Sequence, residues 1–426
     1  MRQRKFKAPP RKTLRRWRVP PALTHGDTDA FEGLSVLEEL PGELGMVLWQ
    51  SLRDAMLWGR SVQAERSALF TDGAERTRVA ALLACGAPVE VEEPVKSIAA
   101  LLSGAETARE ENVALSCREI SQWAEARGLL ATALAFAQAA AVVTPADPSA
   151  SYTVGRLAKR RAEHARAETW FRRTVALARQ AGDWPTYALA FDGLGNLYAA
   201  RGNYPVARRF LMRALRAAGR NSLHDIAGMA NHDLFACAIN TGETAEAYVR
   251  ARNAFDEYGP LHPSLPRLAH DVAFFWTTQG EFERAIPVLR SVLAHVNDET
   301  FRLATLSDLA RACGGAGDRE GFAHAWDEAV ALIAAHPAAD TVPRGWLDLA
   351  HGALSLGAWE RAEEAAARAL DNATRRADGQ SRLAAEAVAE AARRHQRADQ
   401  RQAATNTPWA DTAETLAHEF VATLGN

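Results

Sequence analysis

Four dipeptides with an acidic second member recur at nearly constant intervals in this sequence: His232-Asp233, His270-Asp271, Ser307-Asp308 and Leu347-Asp348. Their aspartates are 38, 37 and 40 residues apart. A carboxylate repeated at that interval suits the capture of positive charge, either a basic side chain of a partner or a metal ion. The histidines add groups that titrate near neutrality, so their protonation would oppose binding of a basic ligand at low pH. Asp192 stands one period earlier, and Asn196, Phe274, Arg311 and His351 occupy a second recurring position three or four residues further along. A recurring aspartate equally suits a solvated face or a bond to a neighbouring helix end. No short ligand spacing supports a metal, and none is expected.

Other chemistry has little to work with. The sequence contains no HExxH, no GxSxG and no GxxxxGK[ST]. Gly193-Leu194-Gly195 and Gly314-Gly315-Ala316-Gly317 lack the third glycine and the preceding strand of a dinucleotide fold. No catalytic residue and no cofactor are therefore expected. Cys85, Cys117, Cys237 and Cys313 lie more than thirty residues apart, which argues against a disulfide framework and fits a reducing cytoplasm. Nine basic residues, Arg2, Arg4, Lys5, Lys7, Arg11, Lys12, Arg15, Arg16 and Arg18, crowd the first eighteen positions without one acid, interleaved with Phe6 and Trp17. Such an arm can neutralise phosphates and stack on bases. It can equally be disordered or fold back on the remainder, where 41 basic residues face 52 acidic ones. Pro9, Pro10, Pro20 and Pro21 oppose the amphipathic helix of a transit peptide, and no apolar run approaches the roughly 20 residues that span a bilayer, so no integral membrane contact is expected.

The elements that must position the aspartates are themselves periodic. The chain has 426 residues, 48% hydrophobic and 24% charged, which allows either a few globular domains or one repeat array. Small turn residues at Gly128, Ala162, Gly202, Gly242, Gly280, Gly317 and Gly357 follow one another at 34, 40, 40, 38, 37 and 40 residues. Eight positions before them stand Ile120, Val154, Leu194, Leu234, Val272, Leu309 and Leu349. Five positions after them come Ala133, Ala167, Ala207, Ala247, Ala285, Phe322 and Ala362. Twelve after them come Ala140, Thr174, Ala214, Ala254, Val292, Ala329 and Ala369. Each period reads as a helical hairpin: an aliphatic knob on the first helix, a left-handed turn, and a second helix with small residues on one face. A single hairpin cannot bury its apolar face, so the units must stack.

The unit from Phe191 to Gly219, with Phe191, Leu194, Gly195, Tyr198, Gly202, Ala207, Leu211 and Ala214, resembles the tetratricopeptide repeat family, and Trp346, Leu349, Gly357, Ala362 and Ala369 repeat most of that pattern. The resemblance implies an all-α fold, a right-handed superhelical α-solenoid of tetratricopeptide-like hairpins with helical caps. About seven repeats are expected over 112–378, after a basic arm (1–20) and a non-repeating helical cap (21–111) and before a C-terminal helical cap (379–426). Trp276, Trp326 and Trp346 fall at inter-helix packing positions, whereas Trp170, Trp184 and Trp359 sit beside turns or helix ends and are expected to be partly exposed.

In that family the first helices line a concave groove, which here would carry Asp192, Asn196, His232, Asp233, His270, Asp271, Phe274, Asp308, Arg311, Asp348 and His351. Members that clamp a terminal carboxylate hold Asn, Lys and Arg there, so the reversed sign favours a basic protein or peptide segment. The implied function is a non-enzymatic protein-binding scaffold. The periods also look like the longer repeats of the sensor region in MalT-class transcription activators, which implies as an alternative a regulatory sensor with a small ligand or peptide in the groove and the arm on nucleic acid.

Overall fold

The structure, a computed structural model, describes Pro20 and residues 33–376, 378–397 and 408–425. The arm residues Arg2 to Arg18 and the nucleic-acid role expected of them lie outside the described residues. Secondary structure among these is helical, in two compact units, 1–233 and 234–426, divided within one helix.

The first unit opens with α1 (Leu34–Glu39), α2 (Glu43–Arg60), a 3-10 turn (Gln63–Ala68), α3 (Ala74–Ala84), α4 (Val89–Ala99) and α5 (Leu101–Gly104). Hairpins follow: α6 (Glu110–Ala126) with α7 (Leu130–Val143), α8 (Pro148–Arg160) with α9 (His164–Ala181), and α10 (Trp184–Ala200) with α11 (Tyr204–Arg220). The unit ends inside α12 (His224–Thr241). The opening helices form no repeat, but they close the first hairpin: α1 and α2 pack on α7, and α4 packs on α6. Glu39 completes this join. Its carboxylate accepts from the backbone N–H groups of Ala131 and Thr132, both at 2.8 Å, so a remote side chain satisfies the bare N-terminus of α7.

The second unit continues α12 into α13 (Thr244–Tyr258), then pairs α14 (Leu265–Thr278) with α15 (Phe282–Leu293), α16 (Glu299–Ala316) with α17 (Arg319–Ala335), and α18 (Val342–Leu356) with α19 (Trp359–Arg375). It ends in α20 (Gly379–Arg393) and α21 (Ala410–Leu424).

All seven turn residues named from the sequence adopt the left-handed conformation, with φ between 60° at Ala162 and 82° at Gly280. The seven aliphatic knobs are buried, from fully inaccessible Val154 and Leu194 to Leu309 at 6% exposure. The small residues five and twelve positions beyond each turn are buried as well. Their size sets how closely neighbouring helices approach. One close approach joins α16 to α18, where a Cβ built on Gly314 would stand 2.3 Å from the carbonyl oxygen of Gly352.

Two expectations change. Trp170 is fully buried rather than partly exposed, because its ring points into the core of the first unit, while Trp184 is 41% exposed. The segment 408–424, expected within a terminal cap, does not stack at the end of the array. Helix α20 packs on α18 and α19, whereas α21 lies on the second helices α13 and α15. There Phe420 meets Phe255 edge-on at 5.2 Å, Trp409 stacks on Tyr248 at 6.0 Å, and Glu414 and Glu419 pair with Arg284 and Arg252.

Candidate functional site

In the first unit the acidic register is built by α10 and α12. Asp183 accepts a bond from the Thr186 N–H at 3.0 Å and Pro185 follows in the first turn, which fixes where α10 starts and hence which side chains face the neighbouring first helices. Asp192 and Asn196 lie one turn apart on that face. The Asn196 amide donates to Asp192 at 3.2 Å and to Asp233 at 2.6 Å, so one side chain ties two carboxylates from different hairpins. Asp192 is 3% exposed, and Asp233 is half-buried.

Two neighbouring carboxylates away from water resist double ionisation. Burial and then the Asp233 carboxylate raise the Asp192 carboxyl well above its usual range. Burial raises Asp233 too, opposed by His232 and the Asn196 amide. Burial and the Asp192 charge push the phenol of Tyr152, on α8, up to about 12. Lys159 acts on both carboxyls from a distance, but neither Asp192 nor Asp233 has a cation within ion-pair reach among the described residues. The Asp192 Oδ1 atom is buried without a hydrogen-bond partner.

In the second unit the same register has a different character. His270 on α14 is 8% exposed. Its Nδ1 lies 2.9 Å from the Asp271 carboxylate, and its Nε2 is 3.1 Å from Asp308 on α16, off the ring N–H axis but within ion-pair distance. Burial disfavours the imidazolium, but Asp271 and Asp308 outweigh it and hold the ring's pKa up at about 9. Phe301 packs edge-on against the ring at 5.0 Å, with the Arg267 guanidinium over Phe301 at 5.0 Å.

Asp348 on α18 is 1% exposed and receives Arg311 at 2.7 Å and Arg344 at 2.5 Å. Burial pushes its carboxyl up, yet Arg344 and Arg311 win and hold it below the usual range. Asp308 is raised by burial and by the Asp348 charge, with His270 opposing. Burial and then Arg311 depress His351 to about 4, so it is neutral at physiological pH. Phe274 is half-buried with the Arg344 guanidinium 4.8 Å above its ring.

The aspartates read from the sequence as one lane of available negative charge thus divide. Asp271, Asp308 and Asp348 are already neutralised within the second unit, and only Asp192 and Asp233 remain without a cationic partner. Arg267, Arg344, Phe301 and Tyr152 were missed from sequence. The signal for the two arginines was present, because each stands four residues before an aspartate of the lane, the spacing at which helical side chains meet. The two His-Asp dipeptides gather no metal site: no group of three or more metal-ligating side chains occurs among the described residues. Cys85, Cys117, Cys237 and Cys313 form no disulfide; Cys117, Cys237 and Cys313 are buried and Cys85 is half-buried. No helix among the described residues is long and apolar enough to cross a membrane.

No curated protein sequence matches the chain significantly. Among solved structures it is similar to BtubC from P. vanneervenii, at 17% identity and a TM-score of 0.41, over 54% of this chain and 93% of that one. It is also similar to a signal transduction ATPase with numerous domains and a tetratricopeptide repeat sensor from Pyrococcus horikoshii, at 12% identity and a TM-score of 0.41. That alignment covers 83% of this chain but 50% of the other, so the chain spans about half the length of that protein. Residues 147–219 match the tetratricopeptide repeat family model, and this stretch is the two consecutive hairpins α8 to α11. That match places tetratricopeptide repeats in residues 147–219, two consecutive hairpins of an all-α array.

Proposed function

We propose that the protein is a non-enzymatic scaffold that binds a protein partner through the first-helix face of its repeats, and that a basic side chain of the partner seats between Asp192 and Asp233. The observation that supports this reading is the pair itself. Two carboxylates share the Asn196 amide, one is 3% exposed with a bare Oδ1, and neither has a cation of its own. An ammonium or guanidinium arriving there would replace the shared proton, complete the hydrogen bonding of Asp192 and relieve the repulsion between the two groups. The second unit offers a different contact surface, where Arg267, Arg344 and Phe274 border a network whose charges already balance.

The test is affinity capture from the source cells with wild type and Asp233→Lys, quantified by mass spectrometry. The substituted ammonium fills the cradle from within, so a partner held by this pair is lost from the variant. Equal recovery by both proteins would remove the carboxylate pair from the binding surface.

A further inference from the structure

The first unit holds a second feature of opposite sign. A cavity of about 670 Å³ opens between the second helices α9 and α11, floored by the start of α10. Its wall carries Arg179, Arg213, Arg216 and Arg220 together with Trp184 and Tyr187, and no acidic residue lines it. In a chain whose residues beyond the arm are net acidic, four arginines around one cavity concentrate positive charge against the general field. All four are exposed, and none has a carboxylate partner among the described residues. The Arg213 guanidinium lies over Phe191 at 5.6 Å, which holds it at the wall.

Trp184 supplies the second element. It is 41% exposed, the one aromatic ring among the exposed large hydrophobic side chains of the described residues. Tyr187 braces it edge-on at 5.6 Å, and Phe191 braces Tyr187 in turn at 4.9 Å. A rigid, half-exposed indole beside several guanidinium forks fits a ligand that is flat at one end and multiply anionic at the other. The volume is that of a pocket for one small molecule, within the roughly 300–1,000 Å³ usual for such sites.

We propose that this cavity binds a nucleoside polyphosphate, with the base stacked on Trp184 and the phosphates held by Arg179, Arg216 and Arg220. Several guanidiniums around one cavity match the several charges of a polyphosphate better than the single charge of a carboxylate. No bond is made or broken. The site rests on these residues alone and stands or falls independently of the Asp192–Asp233 pair, which lies on the first-helix face.

Isothermal titration of the full chain at fixed salt decides the matter, with ATP, adenosine, tripolyphosphate and a single-stranded ten-nucleotide DNA as separate probes. ATP is expected to bind at about micromolar to tens of micromolar Kd. Trp184→Ala and Arg216→Glu, both at exposed positions, should each weaken it by roughly tenfold or more while leaving the circular dichroism unchanged. Tripolyphosphate should bind more weakly and be indifferent to Trp184→Ala, and adenosine should bind more weakly still. Absence of ATP binding at millimolar concentration, or binding that both variants leave intact, overturns the proposal. Tighter binding of the oligonucleotide than of ATP also overturns it, in favour of a strand-binding surface.

Discussion

At the scale of single residues, the register of aspartates shows that one residue type at one repeat position can serve opposite ends. Asp348 is clamped by two arginines and stays ionised, whereas Asp192 shares its environment with a second carboxylate and is pushed toward its protonated form. His270 is the most informative of the group. Burial works against its charge, but Asp271 and Asp308 prevail and bring its pKa to about 9. A histidine raised in the folded state contributes stability that is complete below its unfolded value near 6.5 and is lost as pH rises toward 9. The groups that face it are the Asp271 and Asp308 carboxylates, with Arg267 and Arg344 further out. The second unit should therefore lose on the order of 2 to 3 kcal/mol between pH 6 and pH 9. In urea titrations at several pH values the wild-type midpoint should fall over that range and the His270→Gln midpoint should stay nearly level. Parallel falls in the two proteins would show that the ring is neutral in the fold.

At the scale of elements, hairpin geometry depends on backbone that only small residues permit. The left-handed turns place each second helix against its first, and the small residues that follow let adjacent hairpins nest. The α16–α18 crossing is a strict case, since the missing side chain of Gly314 leaves room for the Gly352 backbone rather than for a flexible side chain that could move aside. Gly314→Ala should separate these helices and destabilise the second unit by about 2 kcal/mol, a cost of overpacking. Gly219, whose added Cβ would meet nothing within 4 Å, is the control: Gly219→Ala should be neutral or slightly stabilising in thermal melts because Ala favours helix. The periodicity that locates these glycines is plain in sequence. Their spatial partners are not, because Gly314 and Gly352 come together only when the hairpins stack.

At the scale of the whole molecule, the chain forms two compact units, and the second is closed by its own C-terminal helix. Leu416 and Phe420 of α21 are fully buried and Leu424 is 4% exposed, against helices more than 100 residues earlier in the chain. At about 2 kcal/mol for each of these three apolar side chains, their removal costs roughly 6 kcal/mol. Ending the chain at Arg397 should lower the Tm of the second unit by roughly 15 °C and create a surface that binds a hydrophobic dye, beside Arg252 and Arg284, which lose Glu419 and Glu414 but keep Asp256 and Glu281. An unchanged melt in calorimetry would show that α21 adds nothing to the fold. What the sequence determined by itself is local and periodic: the helices, the seven turn residues and the buried knobs follow from spacing, because each depends on side chains within one hairpin. Asn196 between aspartates of two hairpins, Arg311 over Asp348, the Trp184 cavity and the docking of α21 were decided by tertiary structure alone. They join side chains from different hairpins or distant segments, and a repeat length specifies which positions recur but not which charges will meet once the helices pack.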